Sequence, residues 1–158
     1  GEKWKPLQPR KITKFGTNTL IVDFVVPCPP LMFNTWHVRP VTDYGFRLRL
    51  NGTTFIPISS VSITGSTQVT IVALSAINVG DIEIGYASYG YAYGNLCDSD
   101  EYKALTNYTK LPSQLKPTFE PKDKSGNIIY NQPYPLNNYC VQFYYKIPQA
   151  NNELIINV

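Results

Sequence analysis

Tyr44-Gly-Phe-Arg-Leu-Arg-Leu-Asn-Gly-Thr-Thr-Phe-Ile-Pro-Ile58 is the stretch that sets the fold class. Its first half alternates, with Tyr44, Phe46, Leu48 and Leu50 on one side and Arg47 and Arg49 on the other. That is the period-two pattern of a half-buried strand. Asn51-Gly52 supplies the two positive-φ positions of a type I′ turn, so Thr53 to Ile58 is expected to return as the partner strand.

The same grammar extends in both directions. Upstream, Lys11 to Phe15 alternates, Gly16-Thr-Asn18 turns, and Thr19 to Val26 runs back, apolar on both faces over part of its length. Trp4, Pro6 and Pro9 make the entry extended and exclude it from a central strand, because proline donates no ladder hydrogen bond. Pro27-Cys-Pro-Pro30 stops the second strand and is expected to cross between sheets as a stiff strap. Downstream, Ser60 to Thr64 and Gln68 to Val72 flank a turn at Gly65-Ser66, and Leu74 to Val79 is too short for a helix. Ile82, Ile84 and Tyr86 then form an inward row.

Twelve tyrosines and seven phenylalanines stand against one methionine, and valine, isoleucine and threonine are abundant. Such residues fit a pleated surface, so the fold class is all-β. The spacing of strands and turns predicts an antiparallel β-sandwich of immunoglobulin-like or jelly-roll type, with a barrel as the alternative. The 158 residues are read as one domain, 1–158, long enough to bury a core. From about 101 to 135 periodicity is lost, and Pro112, Pro117, Pro121 and Pro133 predict one long irregular loop, in which Ile128 to Tyr130 is a candidate short strand. Asn138 to Ile147 reads as a strand, and Glu153 to Val158 as a final edge strand.

The net charge of +3 is spread along the chain, apart from Lys3, Lys5, Arg10, Lys11 and Lys14, so no nucleic-acid partner is expected. Cys28, Cys97 and Cys140 lack the spacing of a zinc site, His37 is the only histidine, and three reduced thiols are expected. No membrane span or leader pattern is read. The chain begins at Gly1 and is expected to be a fragment of a longer polypeptide.

Gly85-Tyr-Ala-Ser-Tyr-Gly-Tyr-Ala-Tyr-Gly-Asn-Leu-Cys-Asp-Ser-Asp100 carries the candidate functional residues. Flat aromatic faces pack on the C–H faces of sugars while amides orient hydroxyls. Tyr89, Tyr91, Tyr93 and Asn95, together with Trp36, are therefore the candidates for a glycan-binding or subunit-contact face. Tyr86 continues the inward row and is as readily core. Asp98 and Asp100 would face one way on an extended chain, about 7 Å apart. An acid pair on one strand cannot easily flank a sugar ring, so they are read as a structural corner accepting backbone N–H bonds. A calcium ion is their alternative use, but the spacing of an EF-hand loop is absent, and no metal or cofactor is expected. Neither Cys28 nor His37 finds the orienting third group of a catalytic constellation, so no enzyme activity is expected.

Five stretches taken in order carry a resemblance: Trp4-Lys-Pro-Leu-Gln-Pro9, Val26-Pro-Cys-Pro-Pro-Leu31, Asp43-Tyr-Gly-Phe46, Gly94-Asn-Leu-Cys-Asp-Ser-Asp100 and Tyr134-Pro-Leu-Asn-Asn-Tyr-Cys-Val-Gln-Phe143. The set resembles the C-terminal β-sandwich domain of bacteriophage tailspike and tail-fibre proteins, and of related prophage proteins in which the module follows an SGNH-type esterase. Cys28 and Cys97 depart from the valine and arginine usual there. The resemblance implies a virion tail, or alternatively a bacterial cell surface, with surface polysaccharide as partner and assembly as a homotrimer. It implies no catalytic residue here. The expected function is a non-catalytic glycan-binding or oligomer-supporting module; a pure trimerisation or folding module, and an accessory domain of a glycan esterase or hydrolase, are the alternatives.

Overall fold

A computed structural model describes residues 3–90, 93–109 and 119–158. Its strands in chain order are β1 (Gln8–Phe15), β2 (Thr19–Val25), β3 (Met32–Phe33), β4 (Phe46–Leu50), β5 (Thr54–Ile56), β6 (Ile58–Gly65) and β7 (Gln68–Ala73). There follow β8 (Ile82–Tyr86), β9 (Leu96–Cys97), β10 (Lys103–Asn107), β11 (Pro133–Pro135), β12 (Phe143–Ile147) and β13 (Glu153–Ile155). A five-stranded sheet, β13-β1-β2-β7-β6, packs on a four-stranded sheet, β12-β8-β4-β5. Two-stranded antiparallel ribbons, β3-β9 and β10-β11, lie beside them. Among the described residues the two main sheets share no ladder, so the architecture is a sandwich and not a barrel.

The core follows from alternation. Ile12, Leu20, Val22, Phe24, Val69 and Ile71 from the first sheet meet Phe46, Leu48, Ile82, Ile84, Tyr86 and Ile147 from the second. The hairpin at Asn51-Gly52 forms as the sequence predicts, with φ of 51° and 71° and Thr53 N–H bonded to Leu50 O at 3.1 Å. The return strand stops at Ile56, and Pro57 alone separates it from β6, which belongs to the other sheet. Proline suits that junction, since it has no N–H to give to either ladder.

β1 and β13 lie side by side, with Lys11 opposite Ile155 and Thr13 opposite Glu153. Lys5 Nζ reaches the Val158 carbonyl at 3.2 Å, so the two ends of the described chain are neighbours. Pro9 sits inside β1, where the sequence pattern predicts only an extended entry segment. The β1–β2 ladder shifts between Pro9 and Lys11, which accommodates the missing donor.

Other expectations are corrected. The strand predicted from Tyr44 begins at Phe46, because Thr42–Gly45 is a 3-10 turn in which Asp43 and Tyr44 take φ of 51° and 54°. Tyr44 leaves the sheet and stacks on Phe33, ring centroids 3.8 Å apart. The long loop is not structureless, since β10 and β11 pair within it. Ile128 makes a single bridge to Lys122 and no strand, and the strand expected from Asn138 starts at Phe143.

Tyr86 ties the sandwich to the β3–β9 ribbon. Its ring lies in the aromatic core, 5.0 Å from Phe46 and 5.7 Å from Phe143 between centroids. Its hydroxyl accepts the Leu96 N–H at 2.9 Å and faces the Leu96 carbonyl at 3.4 Å. Burial pushes the phenol pKa up, which keeps the proton available to donate. Tyr86→Phe leaves a buried N–H unpaired and is expected to cost about 1–3 kcal/mol. Urea denaturation is the measurement, and an unchanged midpoint would show that the hydroxyl holds nothing.

Candidate functional site

The corner after β9 is built around one carboxylate. Asp98 is wholly buried. Its Oδ1 accepts the backbone N–H groups of Asn138 at 2.9 Å and Asp100 at 3.2 Å. Its Oδ2 accepts the Cys28 N–H at 3.1 Å and Asn138 Nδ2 at 2.8 Å. A desolvated charge survives only with such a set of donors. Ser99 adds two bonds to the proline strap, from its N–H to Cys28 O and from its hydroxyl to Pro30 O. Asp100 is half-buried, its Oδ1 accepting the Tyr102 N–H at 2.9 Å and its Oδ2 facing Asn138 Nδ2 at 3.5 Å. Among the described residues no group of three His, Cys, Asp or Glu is placed to hold a metal ion.

Asn95 is corrected from a display residue to a buried clamp. It is 0% exposed and sits at the foot of the loop from Asn34 to Val41. Its Oδ1 accepts the Val41 N–H at 2.9 Å, and its Nδ2 donates to the carbonyls of Asn34 and Arg39 at 2.9 and 3.0 Å. Its own carbonyl accepts the Asn34 N–H at 2.8 Å. An irregular loop against the core needs its backbone polar groups paired, and a single amide does much of that here.

The loop so held presents Trp36. Asn34 Oδ1 accepts the N–H groups of Trp36 and His37, at 3.3 and 2.9 Å, and the Trp36 carbonyl accepts the Lys122 N–H at 2.8 Å. Trp36 thereby lines a groove of about 350 Å³, between this loop, the Asp98–Asp100 corner and the segment from Lys122 to Asn137. Its apolar wall includes Met32, Ile129 and Pro133, and its rim carries Lys103, Lys122 and Lys124 with Asp100, Glu101 and Asp123. The Asn127 backbone and side-chain N–H groups hold the Asp123 carboxyl below its usual range. The volume falls within the span of roughly 300–1,000 Å³ typical of small-ligand clefts.

Tyr89 and Tyr93 do not join Trp36. Tyr89 folds back over the outer face of the four-stranded sheet, where Gly85 leaves room for it; a Cβ at Gly85 would meet Ser88 Oγ and the Tyr89 ring. There Tyr89 packs edge-on against Phe55 and Tyr144, with centroids 5.4 and 5.5 Å away, and lies under the Arg49 guanidinium at 4.8 Å. Arg49 pairs with the buried Glu83. Burial opposes the Glu83 charge, but bonds from Tyr144 and Arg49 outweigh it and lower its pKa. Tyr93 is 39% exposed and lies outside the groove, as does Tyr86 in the core. Tyr91 lies outside the described residues.

The candidate nucleophile and base are not poised. Burial, then Asp100 and Asp98, raise the pKa of the Cys28 thiol, and burial lowers that of His37. The Cys97 thiol is pushed up to about 12 by burial and Asp98. His37 packs edge-on against Tyr108, with centroids 5.9 Å apart. All three cysteines are free thiols. Sequence reasoning missed Asn34 and the lysine rim, because asparagine and lysine are common loop residues and nothing local marks these.

No protein-family model matches the chain, and no curated protein does. Among solved structures, the S-layer protein rSbsC is 17% identical over 81% of this chain and 19% of its own, with a TM-score of 0.42. The N-terminal part of the bacterial S-layer protein SbsC is 12% identical over 98% of this chain and 45% of its own, with a TM-score of 0.41. The chain thus spans less than half the length of either. At these scores the likeness carries no argument about what the chain does.

Asp98→Ala would strand the N–H groups of Cys28 and Asn138, and a loss of roughly 3 kcal/mol or more is expected. Guanidinium denaturation checks it, and a change below about 1 kcal/mol would mean the corner is not held by this carboxylate.

Proposed function

We propose that this chain is a non-catalytic module that binds a bacterial surface saccharide in the Trp36 groove. The observation that carries the reading is the groove itself. An indole, thioether and proline wall stands beside amides, lysines and carboxylates, the mixture that receives a ring with apolar C–H faces and polar edges. The resemblance to phage tailspike and tail-fibre C-terminal sandwiches supports the same reading, with the module at a virion tail or a bacterial surface.

The test uses tryptophan fluorescence. Trp4 is 70% exposed and is the only other tryptophan, so a Trp4→Phe background reports on Trp36 alone. Titration with purified surface polysaccharides is expected to change Trp36 emission. Calorimetry is expected to show Trp36→Ala weakening binding at least tenfold. Equal affinity in Trp36→Ala would end the case for this groove.

A second reading, assembly without ligand, is favoured by one feature. β6 is an eight-residue strand at the edge of its sheet and contains no charged residue. Edge strands usually carry charge or proline that discourages pairing with another chain. Self-association through β6 predicts an oligomer in light scattering that Ser62→Lys converts to a monomer. A monomer at every accessible concentration would dismiss it.

A further inference from the structure

The segment from Val25 to Trp36 passes three cavities in turn, and the Trp36 groove is the last of them. Val25, Val26 and Pro27 line the first with Lys3, Trp4 and Lys5, about 710 Å³ in volume. Cys28 lines the second with Ser99, Asp100, Glu101 and Tyr102, about 420 Å³. Met32, Asn34 and Trp36 belong to the groove itself. Cys28 follows Pro27 directly, and Ser99, Asp100 and Glu101 line both the second cavity and the groove. Neighbouring cavities are thus separated by no more than a short stretch of chain.

Each cavity carries one aromatic ring with an open face. Trp4 is 70% exposed, Tyr102 is 77% exposed and Trp36 is half-buried. Among the described residues none of the three stacks on another ring, whereas Tyr89 and Tyr108 are consumed by such contacts. The backbone beneath them is fixed. The Tyr102 N–H donates to Asp100 Oδ1, and its carbonyl accepts the Leu136 N–H at 3.0 Å. Lys5 beside Trp4 reaches the Val158 carbonyl, and the Leu31 N–H donates to Ser66 O at 2.9 Å. Scattered exposed aromatics need no explanation, but one in each of three adjoining cavities along a single segment does. Rings held on a fixed backbone lose little freedom when a ligand covers them.

We infer that the three cavities form one extended site for an internal stretch of a polysaccharide chain, with Trp4 and Tyr102 as sugar platforms additional to Trp36. This rests on the saccharide reading above. A single sugar would cover one ring and leave two cavities unused. Linked sugars make the second and third contacts intramolecular, so affinity rises with chain length. The charges along the run select against a polymer of one sign. Lys3 and Lys5 lie at one end, Asp100 and Glu101 in the middle, and lysines and carboxylates are mixed in the groove. A polyanion would meet like charge in the middle cavity, and a polycation would meet it beside Trp4. The occupant is therefore a chain without dense charge.

The experiment titrates purified bacterial surface polysaccharides into the whole chain by calorimetry, each cut by partial acid hydrolysis into fractions from disaccharide to dodecasaccharide. Affinity is expected to rise at least tenfold from the disaccharide to the longest fraction, with little dependence on salt. Trp4→Ala and Tyr102→Ala are each expected to weaken binding of the longest fraction at least fivefold and to leave disaccharide binding unchanged. Both side chains are exposed, so neither variant is at risk of unfolding. Affinity that levels off at two or three sugars overturns the inference and leaves the groove reading standing. So does unchanged binding of the longest fraction in either variant, or steeply salt-dependent binding. Absence of binding by every fraction, with Trp36 emission unmoved, overturns both.

Discussion

The bond between the Tyr86 hydroxyl and the Leu96 peptide is the constraint on which the irregular half of the molecule depends. The two main sheets need only alternation and close packing to form. Alternation by itself does not specify where the loop after β3 or the corner after β9 should lie. Tyr86 does so by carrying a polar atom from the core to the backbone of β9. Asn95, one residue before Leu96, then binds the loop from Asn34 to Val41. Asp98, two residues after Leu96, gathers the proline strap and Asn138. Four consecutive residues thus organise three irregular segments, and each step replaces a lost water bond with a protein one.

The sandwich was legible because its information is local. Alternation at Phe46 to Leu50, positive φ at Asn51-Gly52 and the inward row at Ile82, Ile84 and Tyr86 each follow from a few adjacent residues. The errors fall where a side chain answers to a distant partner. Tyr44 continues the alternation perfectly in sequence, yet it leaves the sheet to stack on Phe33. Asn95 lies among tyrosines and glycines and reads as surface, but its amide is consumed by backbone groups more than fifty residues away in sequence.

The candidate site was legible only to a limited extent. Trp36 could be named, since an indole in a polar loop invites the question. Its groove could not, because the walls come from three stretches that meet only after folding. Tyr89 shows the converse. It sits in the most conspicuous run of the chain, but Gly85 opens a gap in the sheet surface, and Tyr89 fills it against Phe55, Tyr144 and Arg49.

The pairing of β1 with β13 has a mechanical consequence. The chain ends meet at one edge of one sheet, where Lys5 reaches Val158. Tension applied to both ends would load that antiparallel ladder across its hydrogen bonds. The bonds would break in sequence, as in a zipper, and not together as in a sheared pair. Joined to neighbours at both ends, this fold would yield first at β13, while the buried rows of β2, β4, β7 and β8 stayed intact. Fixed by one end only, it would feel no such load, and its resistance to force would be that of the whole core.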